Sequence, residues 1–310
     1  MEVCIRSSWI HLLRIVTAVL IFASVNTACA DGAGLKGDGM MRSIEDQVAL
    51  GSRAIGTEGH ARVLDYIEAR LRAAGLAVER QIWTETIGRK TVRFTNLIGS
   101  LRPEAKARII LGTHYDTIIR AYRDLDNPQA TMPGANNGAS GVAVLLELAE
   151  WAARSGDMDA GLDFVFFDGE EGPLSMGGGD PDWRAIGSPH FVDTVPVRYK
   201  DKSILSAIIF DMVCYKDAQL RPEASSLARN PEQVRQFWTI ATRGYPSVFD
   251  SDPLPYTIND DHTAFLSVGL PAFLVIGYEY EPWYNTTQDT PDKCSAAVLD
   301  AVARASMDYV

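Results

Sequence analysis

The sequence has 310 residues, of which 46% are hydrophobic and 22% are charged, so it can bury the core of one large globular domain. Its 40 acidic residues outnumber its 29 Lys and Arg residues, and the formal net charge is −11. Because nucleic-acid binding depends on clustered basic residues that neutralise phosphates, this charge balance excludes nucleic acid as a partner.

The N-terminus has the pattern of an export signal. An apolar run at residues 15–23 is followed by small residues at 28–30, where a signal peptidase would cleave. We therefore predict a signal peptide over residues 1–30 and a mature protein in the periplasm or outside the cell. A membrane anchor is the alternative, but the run is shorter than the ~20 residues that a spanning helix needs, so we expect no stable membrane insertion after cleavage. A lipid-modified Cys29 is a further alternative, disfavoured by Asn26 three residues earlier.

Signal cleavage would leave two cysteines, Cys214 and Cys294. In an oxidising compartment they could form one disulfide, but spacing alone does not show whether their side chains meet.

A Gly- and Asp-rich segment, 31–40, predicts a flexible entry to a domain that spans 41–310. Apolar residues then recur at helical spacing and in strand-like runs. The predicted helices are 58–74, 139–153, 231–242, 261–268 and one that begins at Ser295. The predicted strands are 77–86, 91–100, 108–112, 162–167, 204–210 and 271–276. Near-continuous apolar strands alternating with helices predict an α/β fold with three α/β/α layers around a mixed, mostly parallel sheet.

Polar side chains follow three of these strands. His114 lies just beyond the strand 108–112, Glu170 and Glu171 follow the strand 162–167, and Asp211 follows the strand 204–210. Because ligands bind at the carboxyl ends of strands in such sheets, these residues should meet at one edge. An imidazole with carboxylates suits a metal with an adjacent general base.

Three further segments complete an ordered series of motifs. They are the loop 133–141 before a helix, Asn259-Asp260-Asp261-His262, and the stretch 283–290. As a series, these motifs resemble the co-catalytic zinc exopeptidase family, which includes secreted aminopeptidases and glutaminyl-peptide cyclotransferases. The resemblance covers residues 41–310 and implies that fold, a zinc cofactor, and peptide or protein N-termini as substrates.

The resemblance also implies roles for particular residues. His114 and Asp211 resemble ligands of one zinc position, and Glu171 resembles a ligand of the second. Glu170 resembles the general base, and Asp261 resembles an acid of the cyclase hydrogen-bond network. Trp183 and Tyr284 resemble residues that line the substrate cleft.

Two expected metal ligands are different here. The bridging acid of the family is replaced by Asn137, and the last histidine ligand is replaced by Asn285. An amide oxygen is a weaker zinc donor than carboxylate or imidazole, so the second position keeps only Glu171.

Three functions therefore remain open on the sequence. The first is a metal-dependent exopeptidase that hydrolyses peptides from a free N-terminus, with one ion on His114, Asp211 and the Asn137 carbonyl. The second is a glutaminyl-peptide cyclotransferase-like enzyme, in which the substrate's own amine is the nucleophile. The third is a non-catalytic protein that uses the same cleft to bind peptides.

Overall fold

The computed structural model describes residues 36–156, 158–172 and 183–310. The predicted signal peptide, including its cleavage point and Cys29, lies outside the described residues, as do residues 31–35. The helices are α1 Gly37–Ala49, α2 Glu58–Ala73, α3 Ala139–Ser155, α4 Gly187–Arg198, α5 Ala224–Arg229, α6 Pro231–Gly244, α7 His262–Ser267 and α8 Ala296–Tyr309. The strands are β1 Ala77–Ile87, β2 Lys90–Leu101, β3 Ala107–His114, β4 Gly161–Phe167, β5 Ser203–Asp211 and β6 Ala272–Ile276.

The six strands form one mixed sheet in the order β1-β2-β4-β3-β5-β6. β1 and β2 form an antiparallel pair, and β2 lies antiparallel to β4. β4, β3, β5 and β6 are parallel to one another, so their carboxyl ends lie at the same edge. The predicted α/β class and mostly parallel sheet are confirmed.

Helices cover both faces of this sheet. Ile109 and Leu111 of β3 pack into a core beneath α1, α2, α3, α6 and α8, whereas Ile110 between them faces a second core beneath α4 and α7. Side chains of a strand alternate between faces, so a continuous apolar run buries both. The result is the three-layer arrangement that the sequence predicts.

The entry segment differs from its prediction. Helix α1 begins at Gly37, inside the segment 31–40 that the composition indicates to be flexible, so the folded domain starts before residue 41. Met40 and Ile44 are buried in the larger core, and Gln47 donates to the Ala139 carbonyl over 3.1 Å. These tertiary contacts outweigh the weak helix propensity of glycine and aspartate.

Besides α1, two further helices were not predicted, for local reasons. Helix α4 contains Pro196, which normally indicates a helix boundary, and α5 has only six residues, too few for a clear helical period.

Cys214 and Cys294 form a disulfide with a Cα–Cα distance of 4.6 Å, which settles the pairing that the spacing left open. The bond joins the segment after β5 to the segment before α8. Within the described ranges, no helix has the length and apolar character needed to cross a membrane.

Candidate functional site

The carboxyl ends of three neighbouring parallel strands bring the predicted residues together. His114 ends β3 opposite Phe167 of β4, and Asp211 ends β5. Glu170 and Glu171 follow β4 after a turn in which Gly169 has φ of 75°. All four side chains are buried and lie at this edge of the sheet.

His114 and Asp211 contact each other directly. The His114 Nε2–H donates to Asp211 Oδ1 over 3.1 Å, and the Nδ1–H donates to the backbone carbonyl of Asp116 over 3.2 Å. Burial opposes protonation of His114, but its hydrogen bonds to Asp116 and Asp211 outweigh that cost and raise its pKa well above the ordinary value. These two acidic neighbours therefore favour the protonated form of the His114 ring.

Asn137 joins the other predicted metal-position residues. Its side-chain Nδ2–H₂ donates to Glu171 Oε1 over 2.5 Å and to Asn285 Oδ1 over 3.2 Å. Asn137 and Asn285 are both buried. The Asn137 Oδ1 atom and the Asn285 Nδ2 atom have no hydrogen-bond partner among the described residues.

The backbone of the Asn137 loop is held by Asp289. The carboxylate of Asp289 accepts from the N–H of Asn136 over 2.8 Å and from the N–H of Asn137 over 3.1 Å. Tyr280 donates its hydroxyl to the same carboxylate over 2.7 Å. Buried Arg53 donates to the carbonyl of Gly134, at the start of the loop, over 2.6 Å. The loop position is thus independent of the Asn137 side chain.

Two buried acids that the sequence reasoning left without a role, Asp116 and Asp168, accept hydrogen bonds beside the site. The Asp116 carboxylate accepts from the N–H of Glu170 over 3.2 Å and from the N–H of Glu171 over 3.1 Å. Asp168 accepts from His60 Nε2 over 2.8 Å and from the N–H of Thr95 over 2.7 Å. Their positions at strand ends were the available signal, but a polar residue there is usually only a turn former.

A pocket of about 240 Å³ opens at this edge of the sheet. Its polar lining is formed by Asn137, Glu170, Glu171, Asp211 and Asp260. His114 and Asn285 are buried behind this lining, where they contact Asp211 and Asn137.

Of the adjacent acids Asp260 and Asp261, it is Asp260 that lines the pocket. The carboxylate of Asp261 accepts a short hydrogen bond from the Ser188 hydroxyl, and its side chain is buried. The role of Asp261 in a cyclase-like hydrogen-bond network stays a prediction. Asp261 is the residue directly before α7, and Asp260 precedes it.

Aromatic side chains form part of the pocket wall. Trp183, Tyr278 and Tyr284 line the pocket, and a role of Trp183 and Tyr284 in contacting substrate stays a prediction. Trp183 donates its indole N–H to the Glu170 carbonyl over 2.9 Å. The Tyr284 ring lies 5.3 Å from the Arg123 guanidinium carbon, a cation–π contact on a face of the ring.

The acids of the pocket are crowded and buried. Burial, with the charge of Asp116 and Asp211, raises the pKa of Glu171 to about 8 although His114 opposes the shift. Burial and the nearby charge of Asp211 raise the pKa of Asp260 to about 7. Burial likewise raises the pKa of Glu170 well above its ordinary value. The pocket therefore favours a positively charged occupant.

The comparisons with known proteins identify the family. Residues 96–310 match the model of peptidase family M28, and the chain belongs to that family. Glutaminyl cyclase of Fimbriiglobus ruber superposes with a TM-score of 0.82 at 29% identity, covering 89% of this chain and 95% of that one. A Zn-dependent exopeptidase of Parabacteroides distasonis superposes with a TM-score of 0.81 at 26% identity, covering 88% and 96%.

Among sequence relatives, the glutaminyl-peptide cyclotransferase-like protein of Bos taurus is 23% identical over 260 residues, or 77% of this chain. The match spans 66% of that relative's length. Both cyclases and zinc-dependent exopeptidases therefore occur among the similar proteins.

The residues present do not fit a zinc ion. Protein zinc sites use three or four imidazole, thiolate or carboxylate ligands. The second position offers only Glu171, which an amide N–H of Asn137 faces, and the first offers only His114 and Asp211, which bond to each other. Over the ranges that the structure describes, no three His, Cys, Asp or Glu side chains form a group that could hold a metal ion.

Proposed function

We propose that this M28 family member binds peptides and proteins by their free amino terminus and does so without a zinc ion. The α-ammonium group would lie among the carboxylates of Glu170, Asp211 and Asp260. The observation that carries the proposal is the Asn137 side chain, whose amide donates to Glu171 and Asn285 where the family resemblance implies a metal.

The hydrogen-bonding capacity of the pocket supports a donor-rich ligand. Carboxylates dominate the polar lining, and Asn137 adds an Oδ1 acceptor that has no partner among the described residues. A primary ammonium supplies three donors and a positive charge. The raised pKa values of Glu171 and Asp260 reflect the cost of burying several charged acids together. The positive charge of a bound ammonium group would lower that cost.

The aromatic wall supports the same ligand. Trp183, Tyr278 and Tyr284 line the pocket beside the acids, and a cation over such a ring gains a favourable electrostatic contact. The pocket, with a volume of about 240 Å³, has room for the first residue of a peptide, and the remaining residues would extend outside.

Calorimetry with Gln-Ala-Ala amide and its N-acetylated form tests this proposal on protein treated with chelator. Acetylation removes the charge and two of the three donors, so we expect affinity to fall about tenfold or more. Equal affinity for the two peptides, or binding that requires added zinc, would overturn the proposal.

A second candidate function is peptide turnover, and the observation that favours it is Glu170, which lines the pocket beside Asp211 and Asp260. In exopeptidase hydrolysis, Glu170 would take a proton from the water that attacks the scissile carbonyl and return it to the departing amine. In glutaminyl cyclisation, the substrate's own amine would attack the γ-amide carbon, and Glu170 would pass its proton to the departing ammonia.

Hydrolysis is measured as release of an amino acid from a tripeptide amide. Cyclisation is measured as release of ammonia from a tripeptide amide that begins with Gln. Glu170→Gln is the matched variant, because it keeps the shape of the side chain and removes the base. A steady release that this variant abolishes would establish an enzyme in place of a binding protein.

We also propose that the chain is exported. The signal pattern before residue 31 and the Cys214–Cys294 disulfide support this localisation, since structural disulfides persist in oxidising compartments. N-terminal sequencing of protein recovered from the periplasm or medium should begin at Asp31, and an intact N-terminus would contradict the proposal.

A further inference from the structure

Residues 257–260, in an irregular stretch between β5 and β6, line one wall of the pocket. We call residues 258–262, which include three of these lining residues and the first residue of α7, the pocket-wall segment. It pairs with no strand among the described residues, and α7 begins only at its last residue, His262. Something outside the segment must therefore fix its position.

Glu223, in the segment between β5 and α5, is buried completely and contacts both ends of the pocket-wall segment. Its Oε1 accepts from the N–H of Ile258 over 3.0 Å, and its Oε2 lies 3.2 Å from His262 Nε2. These two contacts enclose Asn259, Asp260 and Asp261 between them. The segment is thus held at its two ends by one carboxylate.

The carboxylate is itself anchored. Glu223 Oε1 accepts from the N–H of Ser225 over 2.8 Å, and Oε2 accepts from the N–H of Ser226 over 2.7 Å, both at the start of α5. The Ser226 hydroxyl donates to Oε2 over 2.8 Å and accepts from the N–H of Leu274 in β6 over 3.2 Å. Glu223 is therefore connected to the sheet.

Capping α5 would require only the contacts to Ser225 and Ser226. The contacts to Ile258 and His262 reach across 35 and 39 residues of sequence to the pocket. Hydrogen bonds that end on a charged group are the stronger kind, and a buried carboxylate with this many donors is rigid.

We infer that Glu223 is a positioning residue that holds Ile258 and Asp260 in place on the pocket wall, and that His262 serves as its second point of attachment. The inference rests on the proposed function for its ligand-binding consequence. Its structural part, the ordering of the pocket-wall segment, does not depend on which ligand the pocket takes.

Glu223→Gln is the first variant, because it keeps the size of the side chain. It replaces one acceptor oxygen of the carboxylate with an NH₂ group, which would face the N–H groups that now donate to that oxygen. Hydrogen exchange followed by mass spectrometry should show faster exchange in residues 258–262 by about tenfold or more, with helix α3 unchanged. The affinity for Gln-Ala-Ala amide should fall about tenfold or more, because Asp260 is no longer fixed.

Asp163→Asn is the matched control. Asp163 is also buried and charge-paired, with its Oδ1 2.7 Å from Arg108 Nη2, but it lies near the amino end of β4, away from the pocket. This variant should lower stability while leaving exchange in residues 258–262 and peptide affinity unchanged. Equal exchange changes in both variants would reduce Glu223 to a general stabilising residue.

His262→Gln is the second variant and carries the test if Glu223→Gln does not fold. It removes one point of attachment, so exchange should rise at the 260–262 end more than at Ile258. Unchanged exchange across residues 258–262 in the folded variants would overturn the inference. If exchange rises but natural protein binds neither peptide, the proposed function fails while the positioning role stands.

Discussion

The side-chain amide of Asn137 donates to Glu171 Oε1 over 2.5 Å, so an N–H group faces the one carboxylate that remains at the second metal position. A metal ion would need lone pairs directed at it from both residues. Here Asn137 supplies the donor and Glu171 the acceptor, so the two side chains hydrogen-bond to each other.

Metal binding should return when the two amides are replaced. We expect the double variant Asn137→Asp with Asn285→His to retain about one zinc ion per chain or more after loading and dialysis, because it restores a carboxylate and an imidazole beside Glu171. Elemental analysis of the purified protein measures this.

The control for that variant introduces the same two side chains in an exposed loop, with Asn127→Asp and Gln129→His. It should retain no more zinc than the natural chain. Equal zinc content in the two double variants would show that the Asn137 and Asn285 positions do not form a metal site.

Gly138 lies against the His114 ring, and this contact limits the size of the side chain that position 138 can carry. A Cβ atom at position 138 would lie 2.5 Å from His114 Cε1, so Gly138→Ala must displace the ring that bonds to Asp211. We expect the free energy of unfolding to fall by about 1–3 kcal/mol in urea denaturation. Gly244→Ala is the comparison, because a Cβ atom at position 244 would have nothing within 4 Å and its effect should be neutral or stabilising. Similar losses in both would contradict the steric explanation.

The disulfide should contribute strongly to stability. Cys214 and Cys294 are 80 residues apart, and a closed loop of this length restricts the unfolded chain. Reduction should therefore lower the free energy of unfolding by about 2–5 kcal/mol in urea denaturation. The variant Cys214→Ser with Cys294→Ser should have the lower stability already and be insensitive to reductant. A natural chain that reductant leaves unchanged would refute this.

Acid should weaken the fold partly through Glu223. Burial acts to raise the pKa of Glu223, but hydrogen bonds from His262 and from the Ser225 and Ser226 N–H groups outweigh it and hold the pKa well below the ordinary value. A group with a depressed folded-state pKa contributes stability above its unfolded-state pKa, about 4.3 for Glu. That contribution is lost as the pH falls through the folded-state pKa.

The measurement compares urea denaturation of the natural chain and Glu223→Gln from pH 7 to pH 3. We expect the stability difference between them to shrink below about pH 5. A difference that stays constant over this range would show that the charge of Glu223 contributes nothing to the pH dependence.

The sequence predicted the sheet and most helices well because their apolar residues recur with clear periods. The strand-end residues His114, Glu170, Glu171 and Asp211 could be placed at one edge for the same reason, since parallel strands end together. In the structure His114 bonds to Asp211, and Asp211 lines one pocket with Glu170 and Glu171.

Other features could not be predicted because they depend on tertiary contacts. Which of Asp260 and Asp261 faces the pocket depends on the backbone turn into α7, and neighbouring identical residues carry no signal of direction. The disulfide depends on the meeting of two distant segments. Glu223 was not singled out from the sequence, because only the fold brings Ile258 and His262 to it.

Asp289 fixes the main chain at Asn136 and Asn137 through their N–H groups, so the path of this loop does not depend on the side chain at position 137. The backbone path of the loop and the functional group at position 137 consequently depend on different atoms. A substitution at 137 therefore changes the group that faces Glu171 and leaves both backbone contacts of the loop to Asp289 in place.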